Sequence, residues 1–250
     1  SNKRANTTQI VQTISQTSFV VRKQREAQNC TDSTMRDQKR NKNVLVLLAL
    51  SGGGSRAAYF SALSMLEMQN IELKIGDTKS DVLHEVDVIS SVSGGSLAAA
   101  YYAVSHDPGN ECAAYANRPW NNAKVHELMT LDFRSRWIGR WFLPNNIAAY
   151  WFTKYDRTDI MAQTLADKLF DKIVTGVDLT LGELNPLRPN LILNATAGVD
   201  DKLYGIDFGE IFTFTEEDFA RICSSVEEYS VARAVMATAT QHNGKPAVMV

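Results

Sequence analysis

The chain has 250 residues, 44% of them apolar, with a formal charge of −2. That is enough for one sizeable core, and one domain with insertions fits better than two. The longest strongly apolar run, Val44 to Leu50, falls far short of the ~20 residues a membrane-spanning helix needs, and no nucleic-acid partner is expected.

The charge is divided unevenly. Residues 1–43 carry nine Lys/Arg against three Asp/Glu, and the remainder carries 17 against 25. This basic lead is rich in Gln, Thr, Ser and Asn, with Phe19 its lone aromatic ring. It reads as an exposed or partly helical arm, either a plain linker or an electrostatic contact for an anionic membrane surface. The opening Ser1-Asn2-Lys3 is what a processed end would leave after an export signal has been cut. Cys30, Cys112 and Cys223 are scattered, with no metal-ligand spacing.

Val44 to Leu50 is almost purely Val, Leu and Ala, which predicts a strand covered on both faces. Ser51-Gly52-Gly53-Gly54-Ser55-Arg56 follows, then a helix over Arg56 to Met68 with Ala57, Phe60, Leu63, Met65 and Leu66 near helical spacing. Val86 to Ser90 is the next strand. It leads into Ser91-Val92-Ser93-Gly94-Gly95-Ser96 and a small, apolar, buried helix over Gly94 to Val104. Strand, glycine turn and helix, given twice, is an α/β pattern.

Residues 106–158 differ in kind. Between Phe133 and Tyr155 lie Trp137, Trp141, Phe142, Tyr150, Trp151 and Phe152, interleaved with Arg134, Arg136, Arg140 and Lys154. This reads as an aromatic-rich insertion or cap whose rings either pack on the core or touch lipid. Asp159 to Phe170 returns to helical spacing, and Asn190 to Ala195 is another strand. Lys202 to Phe208 and Glu210 to Phe214 read as a hairpin around Gly209. Glu216 to Ile222 and Val226 to Thr238 read as helices.

The two glycine segments lie about forty residues apart. Together they suit a site in which one turn offers N–H groups to an oxyanion and the other holds up a nucleophile. A serine on a tight strand-to-helix turn needs small neighbours two residues away on each side. Around Ser93 these are Ser91 and Gly95, so the Gly-x-Ser-x-Gly spacing survives with its first glycine replaced. The helix beginning at Gly94 points partial positive charge at the same place. A phosphate-binding P-loop would require a lysine that is absent, and the dinucleotide pattern Gly-x-Gly-x-x-Gly is not met. A Ser–His–Asp triad would need His106, His126 or His242, none in a telling context.

These residues resemble the patatin-like phospholipases. Gly52-Gly53-Gly54-Ser55-Arg56 matches the family's oxyanion run, and Ser91 to Gly95 matches its nucleophile motif except at the first position. Leu191 to Thr196 and Tyr229 to Thr238 are similar to two further family blocks, and the resemblance spans roughly residues 44–240. It implies a three-layer α/β/α sandwich with a central, mostly parallel sheet, in a hydrolase domain over residues 44–250. It implies lipid acyl-ester hydrolysis of the phospholipase A or lysophospholipase type by a Ser–Asp dyad, without cofactor or metal. Ser93 would be the nucleophile. Gly52, Gly53 and Gly54 would form the oxyanion hole, and Arg56 would brace that loop or meet a head-group phosphate. The implied partners are a phospholipid or other acyl ester and a membrane touched peripherally. The likeness is to the bacterial branch, some of whose members are exported or attached to the outer membrane. The family's aspartate sits in an Asp-Gly pair after the small-residue helix, and this sequence holds no Asp-Gly pair. The expectation is therefore a truncated chain, a chain lacking a segment, or a non-catalytic relative that acts as a lipid-binding or effector protein.

Overall fold

The computed structural model describes residues 44–76, 78–107, 118–132, 157–172, 177–198 and 205–239. The basic arm, the aromatic cluster from Phe133 to Tyr155, Cys30, Cys112 and residues 240–250 lie outside the described residues. Cys223 is an exposed free thiol.

The chain enters as β1 (Val46–Leu50), turns through the first glycine segment and forms α1 (Gly54–Asn70). A small antiparallel hairpin follows, β2 (Glu72–Ile75) with β3 (Thr78–Asp81). β4 (Val86–Ser91) then leads into α2 (Gly94–Ala103). Next come α3 (Asn122–Met129) and α4 (Arg157–Leu165), whose last turn widens over Ala166–Phe170. The two-residue strands β5 (Asp171–Lys172) and β6 (Val177–Asp178) pair with each other. β7 (Asn190–Thr196), β8 (Ile211–Thr213), α5 (Glu216–Arg221) and α6 (Val231–Ala239) complete the described fold.

The main sheet has the order β1-β4-β7-β8. β1, β4 and β7 run parallel, and β8 is antiparallel to β7. Helices flank this mixed, mostly parallel sheet, so the expected α/β class is the one found. β4 is the best-buried strand, as its apolar residues and its place between two parallel neighbours require. α1 turns Ala58, Ser61, Ala62 and Met65 inward, a stripe at helical spacing. In α2 all ten residues are buried, which suits its run of Gly, Ala and Ser.

Three expectations change. β1 is not covered on both faces: it alternates, and Leu47 is 62% exposed. A continuous Val/Leu run does not reveal which strand closes the sheet, and among the described strands β1 lies at one edge. Of the expected hairpin around Gly209, Lys202 to Tyr204 lies outside the described residues, and Glu210 to Phe214 joins the main sheet. Ile211–Thr213 pairs with Thr196 to Asn194 of β7, and the Gly209 amide donates to Ala197 O. The last helix starts at Val231, five residues later than its apolar pattern suggests, because Ser230 first bridges to Thr180. The hairpin of β2 and β3 and the helix α3, capped by Asn121 Oδ1 accepting from the Lys124 amide (2.8 Å), were not anticipated.

The far end of α2 is held by a charged clamp. Arg188, 1% exposed, donates from Nη1 to both carboxylate oxygens of Asp107 (3.0 and 2.9 Å) and from Nε to Ser105 O (3.1 Å). Its guanidinium lies 4.2 Å from the centre of the Tyr102 ring. On the other side His84 bridges Asp107 (3.1 Å) and Asp81 (2.5 Å). These hydrogen bonds, to Asp107 first and then Asp81, raise the His84 pKa to about 9. Burial pushes the Asp107 carboxyl up, but His84 and Arg188 together outweigh it and bring it down to about 2.

Candidate active site

Leu50 and Ser91 are register partners at the carboxyl ends of β1 and β4. Both glycine turns therefore leave the sheet at the same end, where ligands of open α/β sheets collect. The first turn needs glycine: Gly53 and Gly54 have φ of 139° and 67°. The second presses close against the first. A Cβ added at Gly95 would stand 2.7 Å from Ser51 O and 2.8 Å from Leu50 O, and one at Gly94 would collide with Gly54 O. The small residues that mark the motif are what let α2 start against β1.

Ser93 occupies the bend itself, with φ 53° and ψ −122°. Side-chain-bearing residues seldom adopt this conformation, which costs of order 1–3 kcal/mol and persists only where the surroundings impose it. Those surroundings are identifiable. The Gly95 amide donates to Val92 O (3.1 Å) and the Ser96 amide to Ser93 O (3.0 Å). Asn194 of β7 donates from Nδ2 to Ser90 Oγ (3.0 Å) and Ser91 O (2.9 Å). The Ser93 amide donates to Thr238 Oγ1 on α6 (3.1 Å). Ser91, standing where the motif has glycine, is 2% exposed, and its hydroxyl has no hydrogen-bond partner among the described residues.

The structure brings Gly52 and Ser93 together. A Cβ on Gly52 would lie 3.7 Å from Ser93 Oγ. Since Cβ and N of one residue are about 2.5 Å apart, the Gly52 amide is within roughly 6 Å of that hydroxyl. Gly53 and Gly54 complete the same exposed turn. Arg56 sits in the first turn of α1, exposed, and does not line the adjoining cavity. Among the described residues no carboxylate or imidazole is hydrogen-bonded to Ser93 Oγ. His126 instead pairs with Tyr59 OH (2.8 Å), and His106 is buried, its Nδ1 3.0 Å from Asp107 O.

A cavity of about 280 Å³ opens at Ser93. Its lining joins Gly54, Ser55, Ser93 and Gly94 to Leu97, Met161, Leu165, Val235 and Met236, and is predominantly apolar. Such a volume, mostly apolar and bordered by the Ser93 turn, can accommodate a hydrocarbon chain beside the hydroxyl. Thr238 and Asn194, which fix the turn, carried no signal beyond belonging to the two later sequence blocks. Their contacts reach across 145 and 104 residues.

The family model described as Patatin-like phospholipase matches residues 48–240. The crystal structure of the type III effector protein ExoU is similar at 16% identity and a TM-score of 0.40, covering 78% of this chain and 40% of that one. The structure of full-length SpcU in complex with full-length ExoU, from the type III secretion system of Pseudomonas aeruginosa, gives 15% identity and a TM-score of 0.37, covering 81% and 39%. This chain thus spans about two fifths of those solved chains. No curated protein matches it.

Proposed function

Because the chain belongs to the patatin-like phospholipase family, we propose that it is a lipid acyl-ester hydrolase of the phospholipase A or lysophospholipase type, acting through an acyl-enzyme on Ser93. The observation that carries this reading is the strained Ser93 bend, set against the Gly52–Gly54 turn at the mouth of an apolar cavity.

In the reaction, Ser93 Oγ forms a bond to the ester carbonyl carbon, and the carbonyl oxygen takes up the negative charge. Amides of the glycine turn and the N-terminus of α2 stabilise that charge. The ester C–O bond then breaks, the alcohol leaves with a proton, and the acyl group stays on Ser93 until water releases it as the acid. The Ser93 proton needs a base, which the family resemblance gives to the aspartate of a dyad. The sequence offers no Asp-Gly pair in which to place it. The acyl chain lies along Leu97, Met161 and Val235. Arg56 stays outside the cavity, free to brace the turn or meet a head-group phosphate. The substrate comes from a lipid surface touched peripherally; among the described residues no helix is long and apolar enough to cross a membrane.

A second reading is a lipid-binding relative without turnover. It draws on the same Ser93 hydroxyl, which has no base hydrogen-bonded to it among the described residues. A fluorophosphonate probe separates the two. Labelling of the chain that vanishes in Ser93→Ala, with loss of chromogenic acyl-ester turnover, is the expected result. Equal turnover by the alanine variant would refute the assignment, and lipid binding with no labelling would favour the second reading.

A further inference from the structure

We propose that Thr238 is a positioning residue that holds the Ser93 bend in its reactive conformation from the opposite side of the site. The rate part of this inference rests on reading Ser93 as the nucleophile; the structural part does not. Thr238 is 6% exposed, near the end of α6. Its hydroxyl donates to Val235 O within the helix (2.7 Å). That bond uses its one proton and leaves a lone pair to accept from the Ser93 amide at 3.1 Å. The direction of the contact is therefore set by the helix, not by the turn.

Among the described residues the other hydrogen bonds of the bend are local or come from neighbouring strands: Leu50 O accepts from Val92, and Asn194 reaches Ser90 and Ser91. Thr238 alone among them grips residue 93 by a side chain, from an element 145 residues away. α6 also supplies Val235, Met236 and Ala239 to the cavity. One hydroxyl thus ties the angle of the Ser93 backbone to the wall along which the acyl chain would lie. Without it the bend loses a restraint at the residue whose conformation is least favourable.

The test compares Thr238→Val, which keeps the shape and removes the hydroxyl, with Thr238→Ser, which keeps the oxygen. For a short soluble ester and for fluorophosphonate labelling, the valine variant should react on the order of ten- to a hundredfold more slowly, the scale expected for a misplaced reacting group. KM should change little, and serine should restore the rate to within about threefold. Hydrogen exchange read on the peptide spanning residues 90–96 supplies an arm independent of chemistry. The valine variant should lose protection there while peptides from β1 and β7 keep theirs, and the serine variant should match the parent. Unchanged protection of residues 90–96 in Thr238→Val would overturn the proposal, whether or not the chain reacts with the probe. Lost protection spread evenly over the whole chain would also overturn it, because Thr238 would then be a general packing residue. Failure of the parent to label, with the local exchange effect intact, would strike at the reading of Ser93 and leave the positioning role standing.

Discussion

At the level of single residues, steric and conformational demands can be told apart by neighbouring glycines. Gly95→Ala would drive a methyl into fixed backbone at Leu50 and Ser51, all within 3 Å. The expected loss is about 3 kcal/mol, the upper range for overpacking a tight contact. Gly54→Ala meets nothing within 4 Å but must keep a φ of 67°, a cost of about 1–2 kcal/mol. Denaturant titration of both variants should rank Gly95→Ala clearly lower, and the reverse order would show that the α2 start is looser than described. Ser91 gives the opposite sign. Its buried hydroxyl has no partner, so Ser91→Ala should be neutral or stabilising by about 1 kcal/mol. A large destabilisation would refute the reading of this hydroxyl as unpaired.

Among elements, α2 is anchored differently at its two ends, by the serine bend at one and the Arg188–Asp107–His84–Asp81 clamp at the other. The clamp makes a definite pH prediction. The His84 pKa is raised from 6.5 to about 9, so its contribution is complete below about 6.5 and is lost as pH climbs through 9. The Asp107 pKa is lowered from 3.8 to about 2, so its contribution is complete above about 3.8 and is lost as pH falls through 2. Their joint effect is greatest between these limits. Melting curves should show an alkaline decline between pH 6.5 and 9 that flattens in His84→Gln. Asp107→Asn strands the guanidinium of Arg188, whose side chain is 2% exposed. It should cost about 3 kcal/mol, the lower end for breaking a buried pair, since Asp107 keeps some solvent contact. An unchanged melting temperature in Asp107→Asn would show that Arg188 does not depend on Asp107 for its place.

Across the whole molecule, the central strands and the two turns were legible because their signals are local. Val46 to Leu50, Val86 to Ser91 and Asn190 to Thr196 are short apolar runs, and the glycine clusters stand beside two of them. The hairpin of β2 and β3 was not legible, because Glu72-Leu73-Lys74-Ile75 is too short and too polar to stand out. The clamp was invisible for another reason: Asp81, Asp107 and Arg188 are ordinary charges until the fold gathers them. The same holds for Thr238. The cavity permits one test of the molecule as a unit. Met161→Trp, on α4 and away from the Ser93 helix, should fill part of its apolar lining and reduce turnover of a dodecanoyl ester at least tenfold more than that of an acetyl ester. Equal losses on the two would place the acyl chain elsewhere.

The Ser93 bend has a consequence for how the chain comes to be folded. Its restraints come from β1 before it, from Asn194 and from Thr238, so the turn is defined only when segments 104 and 145 residues downstream are in place. Contacts of such separation form late and slowly, because the loop-closure entropy must be met first. A ribosome would have released nearly all of the described fold before the serine could settle into its strained geometry. A nascent or truncated chain would carry the hydroxyl but not the posture, and on the proposed reading of Ser93 it would react with an acyl ester more slowly than the folded chain.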